Sequence, residues 1–86
     1  MDINTANSFT PAELIQPGET FDVSIRGTFV AKLTVQRSKD QSVWRDVETF
    51  EAPVEKVGIS GSAWYFRVGV KTGDYTSGTA IVEIYS

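Results

Sequence analysis

Apolar and polar residues alternate with a period of two along most of this chain, and helical spacing is hard to find. Residues 20–26 place Phe21, Val23 and Ile25 on one face and Asp22, Ser24 and Arg26 on the other. Residues 28–37 repeat the pattern, with Phe29, Ala31, Leu33 and Val35 opposite Val30, Lys32, Thr34 and Gln36. Both segments read as half-buried antiparallel strands. Only Arg26, Gly27 and Thr28 separate them, a spacing that predicts a tight hairpin with the glycine supplying the unusual φ. Its register would pair Ile25 with Phe29, Val23 with Ala31 and Phe21 with Leu33 inside. Outside, it would set Asp22 against Lys32, and opposite charges across a ladder contribute about 0.2–1 kcal/mol.

A polar turn over 38–42 leads to a third strand over 43–51, with Leu33 facing Val47, Lys32 facing Glu48, and Trp44 and Phe50 on the face shared with Lys32; either that face is partly covered, or the strand slips by one residue and every assignment flips. Pro53 removes an amide donor and ends it. A short strand over Val54–Ile59 follows, then a loop at 60–62. Trp64, Phe66, Val68 and Val70 make the strongest inward face, and across a turn-rich loop Ala80, Val82 and Ile84 answer them. Paired as a hairpin, these two strands would set Arg67 by Glu83 and Tyr65 by Tyr85 on the outer face. Residues 12–16 predict a further short strand, and residues 1–7 a polar, mobile N-terminal arm ahead of a domain at 8–86. The expected fold is an all-β, single-domain antiparallel β-sandwich of about seven strands, jelly-roll-like or fibronectin/Ig-like. Local pairs do not fix the strand order.

Length and charge narrow the functional classes. Eighty-six residues make one small domain that buries about 60–65% of its unfolded surface. Its expected stability is roughly 4–13 kcal/mol. A hydrophobic content of 41% is too high for disorder, and with no cysteine the chain has neither disulfides nor thiolate metal sites. Eight basic against eleven acidic residues give −3, with signs interspersed and no basic stripe for phosphates, which argues against nucleic-acid binding. No stretch approaches the roughly 18 apolar residues of a membrane helix. The opening Met-Asp-Ile-Asn has no basic start and no apolar run, so we expect no secretory leader and synthesis in the cytoplasm.

Catalytic chemistry finds little purchase. Histidine is absent, and no serine sits in a G-x-S-x-G elbow. Asp46 and Glu48 would share a face of the third strand as a carboxylate pair, but acids alternating on an exposed strand are usually solvated. Asp40, Asp46, Glu48 and Asp74 offer oxygen ligands that no calcium-loop motif gathers. Gly73-Asp74 and Ser77-Gly78 are turn chemistry. The expectation is a protein that is not an enzyme and carries no cofactor or metal. Aromatic residues are the group with binding potential: Trp44, Tyr65, Tyr75 and Tyr85, joined by Ile81, are predicted off the main inward face as a candidate interaction surface. A contiguous patch of that kind suits a protein partner or stacking on a sugar ring.

The string Val35-Gln36-Arg37-Ser38, then Trp44, Asp46 and Val47, then the run from Tyr65 to Val70 and Lys71-Thr72-Gly73-Asp74-Tyr75-Thr76-Ser77-Gly78-Thr79, resembles short β-sandwich proteins encoded among the virion structural genes of tailed bacteriophages. The likeness covers about residues 20–85, and its closing motif is the specific part. Such sequences often carry Asp-Gly-Gly in the turn before the tryptophan, where this chain has Lys39 to Val43. The resemblance implies a non-enzymatic virion component made in the host cytoplasm: a capsid decoration protein, a head-fibre base, or a tail or connector accessory. Its partners would be phage capsid or tail/connector proteins, with self-association into a ring or trimer a further expectation. The rival expectation is a carbohydrate-binding module in which Trp44 and Tyr75 stack on sugar.

Overall fold

The computed structural model describes residues 1–85. Nine strands follow one another: β1 Asp2–Ile3, β2 Ser8–Phe9, β3 Glu13–Ile15, β4 Thr20–Ala31, β5 Leu33–Ser38, β6 Arg45–Phe50, β7 Val54–Ile59, β8 Trp64–Val70 and β9 Tyr75–Tyr85. No helix occurs among the described residues. Sheet A has the order β1-β9-β4-β7, and sheet B has β5 between β6 and β8, with β2 and β3 end to end along the outer edge of β8. Every pairing is antiparallel. The break between β2 and β3 falls at Pro11, which has no amide to give the ladder. Thr10 bridges it, donating its amide to the Val68 carbonyl (2.9 Å) and accepting the Val68 amide on its hydroxyl (3.1 Å). With β2 and β3 counted as one interrupted strand, the two sheets have the eight-strand order of a jelly roll. The fibronectin/Ig alternative is thereby set aside.

The chain folds this way because its alternating faces find partners far along the sequence. From Phe21 to Ala31 the alternation has no change of phase, and the chain makes one twelve-residue strand of it, not a hairpin. Gly27 sits inside β4 at φ 99°, paired with Ala80, and a Cβ there would stand 2.5 Å from the Thr79 carbonyl oxygen. Gly78, at φ 85° and opposite Phe29, bends the partner strand beside it. The turn comes at Lys32, where the chain crosses to sheet B and the Lys32 amide donates to the Asp74 carbonyl (2.9 Å). The expected pairs Ile25–Phe29 and Asp22–Lys32 therefore do not form; Ile25 lies between Val54 and Val82, and Asp22 between Val57 and Tyr85.

β8 and β9 also differ from expectation. They belong to opposite sheets, so Val68, Val70, Ala80 and Val82 meet across the core and not along a ladder. Arg67 and Glu83 consequently point away from each other on the two outer faces, and Glu83 pairs with Arg26 at 3.8 Å. In the β5–β6 hairpin the register is Leu33 with Phe50 and Val35 with Glu48, followed by a bulge that sets Gln36 against Asp46. Phe50 then packs toward the core, and Glu48 pairs with Lys56 and not with Lys32. The segment 1–7 is not a free arm: Asp2 and Ile3 pair with Ile81 and Ala80, and Ile3 is 1% exposed. At the centre of the sandwich the rings of Phe21 and Phe66 pack with centroids 4.4 Å apart. Trp64, half-buried at the end of β8, packs against the rim of this core.

Candidate interaction surface

The two outer faces of the sandwich are unlike. On sheet B, Thr34, Gln36 and Ser38 point away from the core yet are only 0%, 6% and 1% exposed. A layer of long side chains covers them. Arg67 projects outward from β8, and its guanidinium lies 4.0 Å from the ring centroids of both Phe9 and Trp44. Its Nε donates to Gln36 Oε1 (2.9 Å), Gln36 Nε2 donates to Asp46 Oδ1 (2.9 Å), and Lys71 Nζ donates to Asp46 Oδ2 (2.7 Å). Burial pushes the Arg67 guanidinium below its ordinary value. The Lys71 and Gln36 hydrogen bonds hold the Asp46 carboxyl below the usual carboxylate range, and the same contact raises Lys71. The bulge in β6 makes this network and separates Asp46 from Glu48: Asp46 faces outward with Gln36, whereas Glu48 lies on the Val35 side. They do not form the one-face carboxylate pair the sequence suggested.

A second stack closes the end of the same sheet, where Arg37 and the Lys39 ammonium lie 4.3 and 4.1 Å from the Trp64 ring centroid. Lys39 Nζ also donates to Ser62 Oγ and the Ala63 carbonyl, each at 2.8 Å. In the turn between them, Asp40 Oδ1 accepts the amides of Ser42 and Val43 and the hydroxyl of Ser38. Those bonds hold the Asp40 carboxyl below the usual range. Gln41 takes φ 63° there, in the left-handed region that favours glycine. Asp40 is thus engaged as a turn-former.

Sheet A is open. Its outward residues include Asp2 on β1, Ile81, Glu83 and Tyr85 on β9, Asp22, Ser24 and Arg26 on β4, and Glu55, Val57 and Ile59 on β7. Asp2, Asp22, Glu55 and Glu83 against Arg26 leave a surplus of three negative charges on this face, equal to the chain's whole formal charge of −3. The seven basic and seven acidic side chains elsewhere cancel in number. Ser24 donates its hydroxyl to Glu55 Oε1 (2.9 Å), directly across the ladder. Among these acids stand exposed apolar groups, with Val57 67%, Ile59 69% and Tyr85 50% exposed. A shallow depression of about 420 Å³ runs between Asp22, Ser24, Glu55, Val57 and Tyr85. Beside it, where edge strands β6 and β7 approach without pairing, an apolar cleft of about 180 Å³ opens over Phe21, Phe50 and Phe66, with Val47 and Ile59 at its sides. Lys56 and Glu48, which also line it, pair at 3.2 Å.

The five residues singled out from the sequence therefore do not make one patch. Ile81 and Tyr85 share the open face of sheet A, Trp44 belongs to the covering layer of sheet B, and Tyr65 points outward on β8 beside Ser38 and Leu14. Tyr75 packs against the core, with its hydroxyl donating to the Gly78 carbonyl (2.8 Å). Sequence reasoning missed the acids Asp22, Glu55 and Glu83 as a group, and Phe9 and Arg67 as a stack, because strands from distant parts of the chain assemble both. Among the described residues no group of three or more acidic side chains is placed to hold a metal. No protein-family model, curated protein or solved structure matches the chain.

Proposed function

We propose that the chain is a non-enzymatic structural component of a tailed-phage particle, which attaches to capsid or tail/connector proteins through the open face of sheet A. The observation that carries the reading is the asymmetry of the sandwich. One outer face is covered by its own stacked side chains, and the other presents Ile81, Tyr85, Val57 and Ile59 among an unbalanced set of carboxylates. Exposed apolar groups rimmed by charge suit protein contact. Repetition of such a contact over a lattice lets avidity compensate for a small area per copy. The phage context rests on the sequence resemblance; the jelly-roll order, shared by capsid and lectin domains, is a fold-level likeness of lesser weight. The sugar-binding alternative loses its basis in geometry, since Trp44 already stacks on Arg67 and Tyr75 lies against the core of the opposite sheet.

The test is cosedimentation of the purified protein with particles assembled from the neighbouring virion genes in its absence. Saturable pelleting is expected, and Tyr85→Asp together with Ile81→Asp should weaken it at least tenfold. Pelleting unaffected by that double change, or none with any such particle, would refute the proposal.

A further inference from the structure

We propose that β7 is a receiving edge, onto which an extended segment of a partner protein, basic on one face and apolar on the other, adds as a further strand of sheet A. The inference rests on the open face of sheet A being the interaction surface and names how that surface is used.

The sandwich has four sheet edges, and three are protected against strand addition. β1 is two residues long, β2 and β3 are broken at Pro11, and β6 carries a bulge with Arg45, Asp46 and Glu48 along it. Shortness, proline, bulges and charge are the usual protections of an edge. β7 is regular over Val54–Ile59 and uncharged from Val57 onward. The phase of its ladder shows which groups are free. The Ser60 amide donates to the Glu19 carbonyl and the Ser60 carbonyl accepts from Gly18, so alternate residues 58, 56 and 54 direct their backbone groups at β4. Residues 55, 57 and 59 direct theirs outward. The far side of the sheet keeps the same phase, where Val82 exchanges hydrogen bonds with Met1 and not with β4. Glu55, Val57 and Ile59 thus offer both unpaired amides and carbonyls and the exposed side chains beside them.

Charge selects the occupant. A second copy pairing β7 with β7 about a two-fold axis, with Val57 opposite Val57, would bring two faces of surplus −3 edge to edge. A strand with lysine or arginine on its outward face would instead meet Glu55 and Asp22. Its inward residues would lie against Lys56 and Gly58, over the 180 Å³ cleft between β6 and β7. The Lys56–Glu48 pair there is exposed and easily exchanged. Main-chain bonding along the edge with alternate side chains in pockets is the established manner of strand addition.

The probe is a capped peptide of about seven alternating lysines and valines, titrated into the full chain and followed by amide NMR. Binding should slow hydrogen exchange at Glu55, Val57 and Ile59 at least tenfold. Glu55→Lys should weaken it about tenfold. Val57→Pro removes an amide that faces away from β4, so it should leave the fold intact while abolishing binding; Glu55→Lys keeps the test decisive if that variant unfolds. A peptide N-methylated along its pairing edge should not bind. Equal binding of the N-methylated peptide would place contact on the face and overturn strand addition while sparing the proposed function. Absence of binding, or protection away from β7, would overturn it as well.

Discussion

Arg67 is the residue whose removal should cost most relative to what its position in an exposed-looking strand pattern suggests. Arg67→Met keeps the apolar stem and deletes the guanidinium that lies 4.0 Å from the ring centroids of Phe9 and Trp44. Each such cation–π contact contributes about 0.5–1 kcal/mol. Gln36, 6% exposed, would also lose the donor to its Oε1, at a cost of roughly 1–3 kcal/mol for a buried acceptor left unpaired. The total, about 2–5 kcal/mol, is a large share of the stability of so small a domain. At roughly 4–8 °C per kcal/mol it should lower Tm by about 8–40 °C. Urea denaturation followed by circular dichroism measures the change, with an unaltered m-value showing that the folded state is the same. The stack itself is isolated by a double-mutant cycle with Trp44→Leu, where a coupling of about 1 kcal/mol is expected. If the two single changes add to within about 0.3 kcal/mol, ring and guanidinium do not support each other and the account of the covered face fails.

Gly27→Ala should destabilise by about 3 kcal/mol or more in the same urea assay, since φ 99° and the Thr79 carbonyl oxygen both oppose a Cβ; a neutral result would refute the bent β4–β9 ribbon. Asp46 has a folded-state pKa below its unfolded one, so its contribution is present above the unfolded value and is lost as pH falls from about 4 through the depressed native value. Acid titration of stability should accordingly be shallower in Asp46→Asn, and an identical profile would count against the Lys71–Asp46–Gln36 network. In the free protein, amides of Val57 and Ile59 should exchange with solvent faster than those of Lys56 and Gly58, which face β4; the reverse order would invalidate the ladder phase.

Period-two alternation made the strands legible: Val54–Ile59 and Trp64–Val70 lie where the sequence puts them, and most of the predicted inward set is core, although Phe29, Ala31 and Trp64 are only partly buried and Ile3 and Ile15 join it from short strands near the N-terminus. Pairing was not legible. Sequential strands are neighbours more often than not, but in this jelly roll β5 and β6 are the only consecutive strands that share a ladder among the described residues, if β2 and β3 are taken as one. The longest pairing joins β4 to β9, some fifty residues apart in the chain. Charge matching gave no protection against the error. With signs interspersed, Asp22–Lys32 and Arg67–Glu83 fit a wrong register as readily as Arg26–Glu83 fits the real one. The same cause divided the aromatic surface. Whether Trp44 and Tyr75 are outside depends on which sheet each strand joins, and Phe9 and Trp44 reach Arg67 only because β2 and the β5–β6 loop converge on β8.

The physical contrast between the faces follows from the same topology. Sheet B has polar outward residues on its central strand, Thr34, Gln36 and Ser38, which need partners once anything covers them. Arg67, Asp46 and Asp40 supply partners, so aromatic and cationic side chains can lie over that face without leaving a buried side-chain polar atom unsatisfied among the described residues. Sheet A has no equivalent cover: Glu55 and Glu83 lie opposite Ser24 on its two ladders, Asp22 is two residues along β4, and Arg26 is the one opposing charge among the outward residues. A basic strand of the kind proposed would bring opposite charge to this face. Within one Debye length of the surface, about 8 Å at physiological salt, the surplus negative charge would steer such a strand toward β4, β7 and β9.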